Sequence, residues 1–314
     1  MNQVATLHKD MDQAAMAEMM GFSEPEKQEG GGSSLPRLKV MADDIQGETM
    51  VKGKKKKTVL VSAGAFALEV DGTTIYADEV HFRCFMQQFF IKRWDAAAVS
   101  DFKGEDGKPK TGSYLHTIMT PKQWVDERID DSGGINCGKP AGYLDNFSTL
   151  QPDLQDLIRK CGTRRVMFGE VTLIDPVDAE GNDVENAGAT PCTYELSPSA
   201  SKAMVPVFKQ ITESGMLPIQ RVISLTNEPQ LNGTVTYYTP VPNVADVDVV
   251  VISDEDMAQQ TTFVGYVKSW NARIKDKHHE KLTSKGKAET PVDDKELLNE
   301  LGADAFIDVS SELD

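Results

Sequence analysis

The feature that most constrains the fold is a long aromatic-rich segment at residues 80–94, VHFRCFMQQFFIKRW. Read with the two-residue period of a β-strand, its side chains separate into two faces. The mainly apolar face comprises Val80, Phe82, Cys84, Met86, Gln88, Phe90, Lys92 and Trp94. The opposite face comprises His81, Arg83, Phe85, Gln87, Phe89, Ile91 and Arg93. We therefore predict a long strand with the first face on the core and the second face exposed.

Several further segments also read as strands. Residues 59–70 and 73–77 flank Asp71-Gly72, a hairpin signal, and residues 217–226 and 231–238 form a second antiparallel pair. Helix signals are fewer: residues 197–215 begin with a Ser197-Pro198 cap and end at Gly215, and a second helix begins after Ser253. The expected fold class is α+β and mostly β, namely an OB-like antiparallel barrel enlarged by insertions, with two or three packed helices.

The acidic charge is concentrated in three places. The formal charge of -16 divides into a net -4 for residues 1–30, -7 for residues 293–314 and -5 for residues 175–186, which leaves the rest of the chain neutral. Both ends also have the composition of flexible linkers: polar and Gly/Ser-rich near the N-terminus, and charged without an apolar period near the C-terminus. We expect a flexible N-terminal segment and linker at 1–34, a β-rich core domain at 35–276, and a linker with an acidic C-terminal tail at 277–314.

The sequence disfavours both a membrane protein and a secreted protein. No stretch approaches the roughly 18 apolar residues that span a bilayer, and the N-terminus lacks the apolar region of a signal peptide. Four cysteines lie far apart without paired spacing. We expect a cytoplasmic protein with reduced thiols and no membrane partner, in the host cytoplasm if the protein is viral.

The exposed face of residues 80–94 combines rings with cations, which is the combination that single-stranded nucleic acid requires. A lysine run at residues 52–57 (KGKKKK) suits nonspecific phosphate contacts. The predicted nucleic-acid-binding residues are Lys52, Lys54, Lys55, Lys56, Lys57, His81, Arg83, Phe85, Phe89, Arg93, Arg164, Arg165 and Tyr238. The alternative for the strand is burial on both faces, with Arg83 and Arg93 paired to acids. The alternative for the lysine run is a solvated hairpin tip. The alternative for Arg164 and Arg165 is one satisfied ion pair within the protein.

Signals for metal binding and catalysis are weak. Cys137 and Cys161 are the best candidate zinc ligands, but the short paired spacings of structural zinc sites are missing, so buried thiols are favoured. Asp130-Asp131 beside Gly133-Gly134 offers one acidic pair. The chain carries none of the common catalytic fingerprints. We therefore predict a non-enzyme without a metal or other cofactor.

The acidic tail contains interspersed apolar residues, which suits docking on a basic groove. Its predicted partner-binding residues are Phe306, Ile307, Asp308, Leu313 and Asp314. The alternative is a final amphipathic helix, since Leu297, Leu301 and Ala305 share one face.

In overall plan, a β-rich body with an aromatic-basic strand and a tethered acidic end, the chain resembles the single-stranded DNA-binding proteins of bacteriophages and bacteria. The resemblance implies an OB barrel and a tail that recruits replication or recombination proteins and competes with DNA for the groove. Many tails of that family end in an aromatic residue, whereas this chain ends in Leu313-Asp314 with Phe306 set back.

The function expected from this resemblance is sequence-nonspecific binding and protection of single-stranded DNA during replication, recombination and repair. A homo-oligomer is compatible with it. One alternative is a viral structural or assembly protein with a self-associating β-rich body. A metal-dependent nuclease or other DNA-processing enzyme is a weaker alternative.

Overall fold

The structure is a computed structural model that describes residues 35–51, 54–103, 109–141, 146–186 and 188–286. Its strands are β1 (Arg37–Val40), β2 (Ile45–Val51), β3 (Lys54–Val61), β4 (Phe66–Val70), β5 (Thr73–Ala77), β6 (Glu79–Lys103), β7 (Pro109–His116), β8 (Cys161–Ile174), β9 (Thr190–Leu196), β10 (Ile223–Asn232) and β11 (Val235–Val244). Its α-helices are α1 (Pro152–Lys160), α2 (Pro198–Glu213) and α3 (Asp254–Gly286).

Nine of these strands form one mixed sheet. The strand order is β11-β10-β6-β8-β9-β1-β4-β5, β7 pairs with β6, and the β1–β9 pair is parallel. Strands β2 and β3 form a separate two-stranded hairpin. The predicted α+β, mostly β class is confirmed. Within the described strands the pairing is an open path from β11 to β5, not a closed barrel.

One face of the sheet holds the main hydrophobic core, and we call it the inner face. Val80, Phe82 and Cys84 of β6 point into this core, as the two-residue period predicts. Helix α2 covers it with Ala200, Met204, Val207 and Ile211. The predicted start of α2 is also confirmed, because the Ser197 hydroxyl accepts a hydrogen bond from the Ala200 N–H at 3.3 Å.

A β-bulge in β6 reverses this alternation at Phe85. Cys84 pairs with Gly169 of β8, but Met86 pairs with Phe168, so one extra residue is inserted on β6. A Cβ atom on Gly169 would lie 2.1 Å from the backbone oxygen of Arg83, so only glycine fits opposite the bulge. Beyond Phe85, odd-numbered residues point to the inner face and even-numbered residues to the opposite, outer face.

Helix α3 packs on the outer face. Its first turn has a capping box, in which the Asp256 N–H donates to the Ser253 hydroxyl at 3.2 Å and the Ser253 N–H donates to the Asp256 carboxylate at 2.8 Å. The predicted apolar stripe of this helix is buried at Phe263 and Ile274. The sequence places a tether after residue 276, whereas residues 277–286 continue the helix and His278 Nδ1 lies 3.0 Å from the Asp130 carbonyl oxygen.

Among the described helices, none has both the length and the apolar character needed to cross a membrane. The predicted flexible segment 1–34 and the acidic tail, with Phe306, Ile307, Asp308, Leu313 and Asp314, lie outside the described residues. The domain limits and the role of the tail therefore stay predictions.

Candidate nucleic-acid interface

The predicted aromatic-basic face of residues 80–94 is not one exposed face. Before the bulge, Arg83 does lie on the outer face, but helix α3 covers it. Its guanidinium donates two hydrogen bonds to Asp256, at 2.7 and 2.6 Å, and a third to the Ile219 carbonyl at 2.7 Å. The alternative prediction, that Arg83 is paired with an acid, is confirmed. These hydrogen bonds hold the pKa of Asp256 below its usual range.

Phe85 also contacts helix α3. Its ring lies edge-on to Phe263, with the centroids 5.5 Å apart, and the Arg83 guanidinium carbon lies 5.1 Å from the Phe85 ring centre. Nearby His81 is half-buried, with Nε2 at 3.5 Å from the Glu79 carboxylate. Three of the predicted binding residues are thus held in contacts within the protein.

Phe89 and Arg93 lie beyond the bulge and turn to the inner face. Phe89 is only 4% exposed, and Arg165 is also buried, with its guanidinium carbon 5.1 Å from the Phe89 ring centre. Burial lowers the pKa of Arg165. Arg93 lies 3.7 Å from Asp95, measured from Nη2 to Oδ2. The prediction that His81, Arg83, Phe85, Phe89 and Arg93 share one exposed face is wrong because the bulge and helix α3 separate them.

Residues 54–57 of the lysine run begin strand β3 of the β2–β3 hairpin. Lys55, Lys56 and Lys57 are exposed, and Lys55 Nζ lies 2.7 Å from the Glu48 carboxylate. Lys52 and the side chain of Lys54 lie outside the described residues. The described part of the run is therefore a solvent-exposed cationic ribbon, as both the binding and the hairpin-tip interpretations require.

The candidate metal residues are engaged within the protein. The buried Asp130 carboxylate accepts hydrogen bonds from the Ser132 hydroxyl (2.6 Å) and from the N–H groups of Ser132, Gly134 and Cys137 at 2.8 to 3.0 Å. This carboxylate therefore organises its own Gly-rich turn. Burial, strengthened by nearby Asp130, raises the pKa of the Cys137 thiol, and burial also raises that of Cys161. Among the described residues, no cluster of three metal-ligating side chains is found.

Two exposed rings lie on the outer face beyond the bulge. Trp94 of β6 is 48% exposed, and Tyr114 of β7, its direct cross-strand partner, is 45% exposed. Their ring centroids are 4.9 Å apart at an interplanar angle of 71°. Gly112 has a positive φ of 85°, and a Cβ atom there would lie 2.4 Å from the Trp94 ring, so the indole packs directly over its backbone. The ring pair is thus positioned before any ligand binds.

Behind this pair, further rings anchor the strand to helix α3. His116 lies between Tyr114 and Trp270, with centroid distances of 6.3 and 5.4 Å. Phe90 lies beneath them, 5.7 Å from Trp270. The Arg273 guanidinium carbon stands 4.7 Å from the Trp270 ring centre. The exposed pair is therefore the outer end of a continuous aromatic cluster.

Basic side chains continue from the ring pair across the outer face. Lys92 Nζ lies 4.5 Å from the Tyr114 ring centre and 3.2 Å from Glu195 Oε1. Arg164 Nε lies 3.5 Å from the same oxygen, and Arg37 donates to the other carboxylate oxygen. We call Trp94, Tyr114, Lys92, Arg164 and Arg37 the outer strip.

A separate groove lies beside Arg37. Its lining includes Tyr238 together with Leu38, Leu196 and Ala200 of the inner-face core, so it opens on the side of the sheet that α2 covers. The Tyr238 ring packs over Gly64, where a Cβ atom would lie 2.6 Å from the ring. Of the predicted binding residues, Arg164 lies on the outer strip, beside side chains that the sequence did not single out for binding, whereas Tyr238 lies in the separate groove.

Sequence reasoning missed Lys92, Trp94 and Tyr114. It assigned Lys92 and Trp94 to the core face because an uninterrupted period of two was assumed. A lysine and a tryptophan at the end of an otherwise apolar face were the available signal, because a lysine is almost never fully buried without a partner.

Comparisons with protein-family models, curated proteins and solved structures find no match to this chain.

Proposed function

We propose that this protein binds single-stranded DNA without sequence preference, and that the strand lies across the outer strip. The observation that carries the proposal is the exposed Trp94–Tyr114 pair with Lys92 against it. Exposed rings of this size next to cations are suited to stacking bases while neighbouring charges follow the phosphates. The exposed lysines 55–57 supply further electrostatic attraction for the phosphate backbone of the DNA.

The contacts available on this surface favour nonspecific binding. Every base has a π-face, so stacking on Trp94 and Tyr114 tolerates any sequence. Lys92, Arg164 and Arg37 offer charge to phosphates, which carry no sequence information directly.

The biological role follows the resemblance in overall plan. We propose that the protein protects single-stranded DNA in replication, recombination and repair, in the cytoplasm of a cell or of a phage host. The acidic tail would recruit partner proteins and compete for the cationic surface, without the protein itself being an enzyme. An OB-like arrangement of the core strands belongs to the same proposal, but binding on the outer strip requires only the open sheet.

The test is the affinity for a fluorescein-labelled oligo-dT, measured by anisotropy at low salt. Trp94→Ala and Tyr114→Ala are each expected to weaken binding about tenfold, because each stacked base contributes about 1–3 kcal/mol. Tyr237→Ala is the matched control: Tyr237 is 40% exposed on the β10–β11 hairpin, which pairs with β6 only at Val80–Phe82, far along the strand from Trp94. It is expected to bind like the unmodified chain.

Unchanged affinity in both strip variants would refute the assignment of this surface. Absence of oligo-dT binding by the unmodified chain, together with large assemblies in sedimentation, would favour the structural-protein alternative.

A further inference from the structure

One carboxylate lies at the centre of the cationic part of the outer strip. Glu195 of β9 contacts Lys92 of β6, Arg164 of β8 and Arg37 of β1, so four different strands contribute to one cluster. The cluster holds three basic side chains and one acid. Lys92 also contacts Tyr114, which places the cluster directly beside the exposed ring pair.

The chemistry of this cluster matches that of a phosphate site. Arginine donors that pair with a carboxylate also pair with a phosphate, in the same forked geometry. Lys92, Arg164 and Glu195 are mostly shielded from solvent, whereas the Arg37 side chain is 48% exposed, so one side of the cluster is open. A DNA strand whose base stacks on Tyr114 would place its backbone beside Lys92, and the cluster continues from Lys92 through Glu195 to the exposed Arg37.

We infer that Glu195 occupies the place of a backbone phosphate in the free protein, and that a phosphodiester of the bound strand replaces it as the partner of the three cations. This inference rests on the proposed function and deepens it. Glu195 keeps the like charges of Lys92, Arg164 and Arg37 together before binding. It also opposes the incoming phosphate, so it lowers the affinity and limits nonspecific retention of DNA.

The inference predicts a gain of affinity on removal of one acid. Glu195→Gln keeps the shape of the side chain and removes its charge, and it is expected to tighten oligo-dT binding about fivefold at low salt, the scale of one partly exposed charge interaction. The plot of log affinity against log salt is expected to become steeper, because more cation charge is available to the phosphates.

The matched control is Glu213→Gln on α2, which removes the same charge from an exposed residue whose carboxylate lies 3.6 Å from Lys209. It is expected to change the affinity less than twofold. A second variant, Glu195→Asp, retains the charge on a shorter side chain, which weakens its contacts with the three cations. It is therefore expected to tighten binding, but less than Glu195→Gln does. It provides the test if thermal unfolding shows that Glu195→Gln is not folded.

The inference is overturned if Glu195→Gln binds no more tightly than Glu213→Gln, or, where only Glu195→Asp folds, if that variant binds no more tightly than the unmodified chain. If the unmodified chain binds oligo-dT, either of these results overturns the inference and leaves the proposed function standing. Absence of oligo-dT binding by every variant at low salt overturns both.

Discussion

Replacing Asp256 by alanine is expected to lower the free energy of unfolding by about 3 kcal/mol, because it removes the main ionic partner of the buried Arg83 guanidinium and leaves only Glu170, at 3.6 Å. Only 14% of the Arg83 side chain and 8% of the Asp256 side chain are exposed. The same change removes the acceptor of the Ser253 N–H in the capping box of α3. Urea unfolding followed by circular dichroism measures the effect.

The matched control is Asp254→Ala, in the same helical turn but exposed. It is expected to cost less than about 1 kcal/mol, the scale of a charge near a helix N-terminus. The Arg83→Met/Asp256→Met double variant is expected to be more stable than Asp256→Ala, since the buried guanidinium is removed together with its main partner and only Glu170, whose side chain is 22% exposed, loses an ionic contact. Equal losses for Asp256→Ala and Asp254→Ala would contradict the buried ion pair.

The pH dependence of this contribution has a definite sign. The pKa of Asp256 is lowered in the folded protein, so its stabilising effect is complete at neutral pH. It is lost as the pH falls below about 4, the ordinary range of an aspartate, through the lower pKa of the folded state.

Replacing Phe263 by alanine is expected to cost about 3–5 kcal/mol, as for other fully buried phenylalanines. Phe263 is fully buried on α3, and its ring contacts Phe85 at 5.5 Å and Phe168 at 5.8 Å between centroids. Its loss removes the main apolar contact by which the helix covers this part of the outer face. The measurement is again equilibrium unfolding in urea.

Val264→Ala is the control for this second variant, because Val264 is the next residue of the same helix and is exposed. It is expected to change the stability by less than about 0.5 kcal/mol, as for surface substitutions in general. A Phe263→Ala loss no larger than that of Val264→Ala would show that α3 does not pack on the sheet through this ring.

Much of the fold could be read from local signals. The Ser197-Pro198 start of α2, the Ser253 start of α3 and the Asp71-Gly72 turn are short-range patterns, and the structure confirms each of them. The length of α3 could not be predicted, because residues 277–286 have no apolar period of their own. In the structure these residues lie against the Gly-rich turn, where His278 contacts the Asp130 carbonyl, a long-range contact that no local pattern indicates.

The candidate site was harder to predict because it depends on pairing between distant segments. The bulge at Phe85 is determined by how β6 pairs with Gly169 of β8, and one inserted residue exchanges the faces of everything that follows. Arg83 and Phe89 could not be recognised as internal from residues 80–94 alone, since their partners lie on α3 and β8. The aromatic and basic content of residues 80–94 was visible in the sequence, but the face on which each side chain lies was not.

Crosslinking of a bromodeoxyuridine-substituted single strand, followed by tryptic peptide mapping, tests the central claim most directly. If single-stranded DNA lies on the outer strip, crosslinks are expected in the peptides 94–103, which contains Trp94, and 111–122, which contains Tyr114. Crosslinks confined to peptide 84–92, which contains Phe85 and Phe89, or no crosslinks at all, would contradict the account.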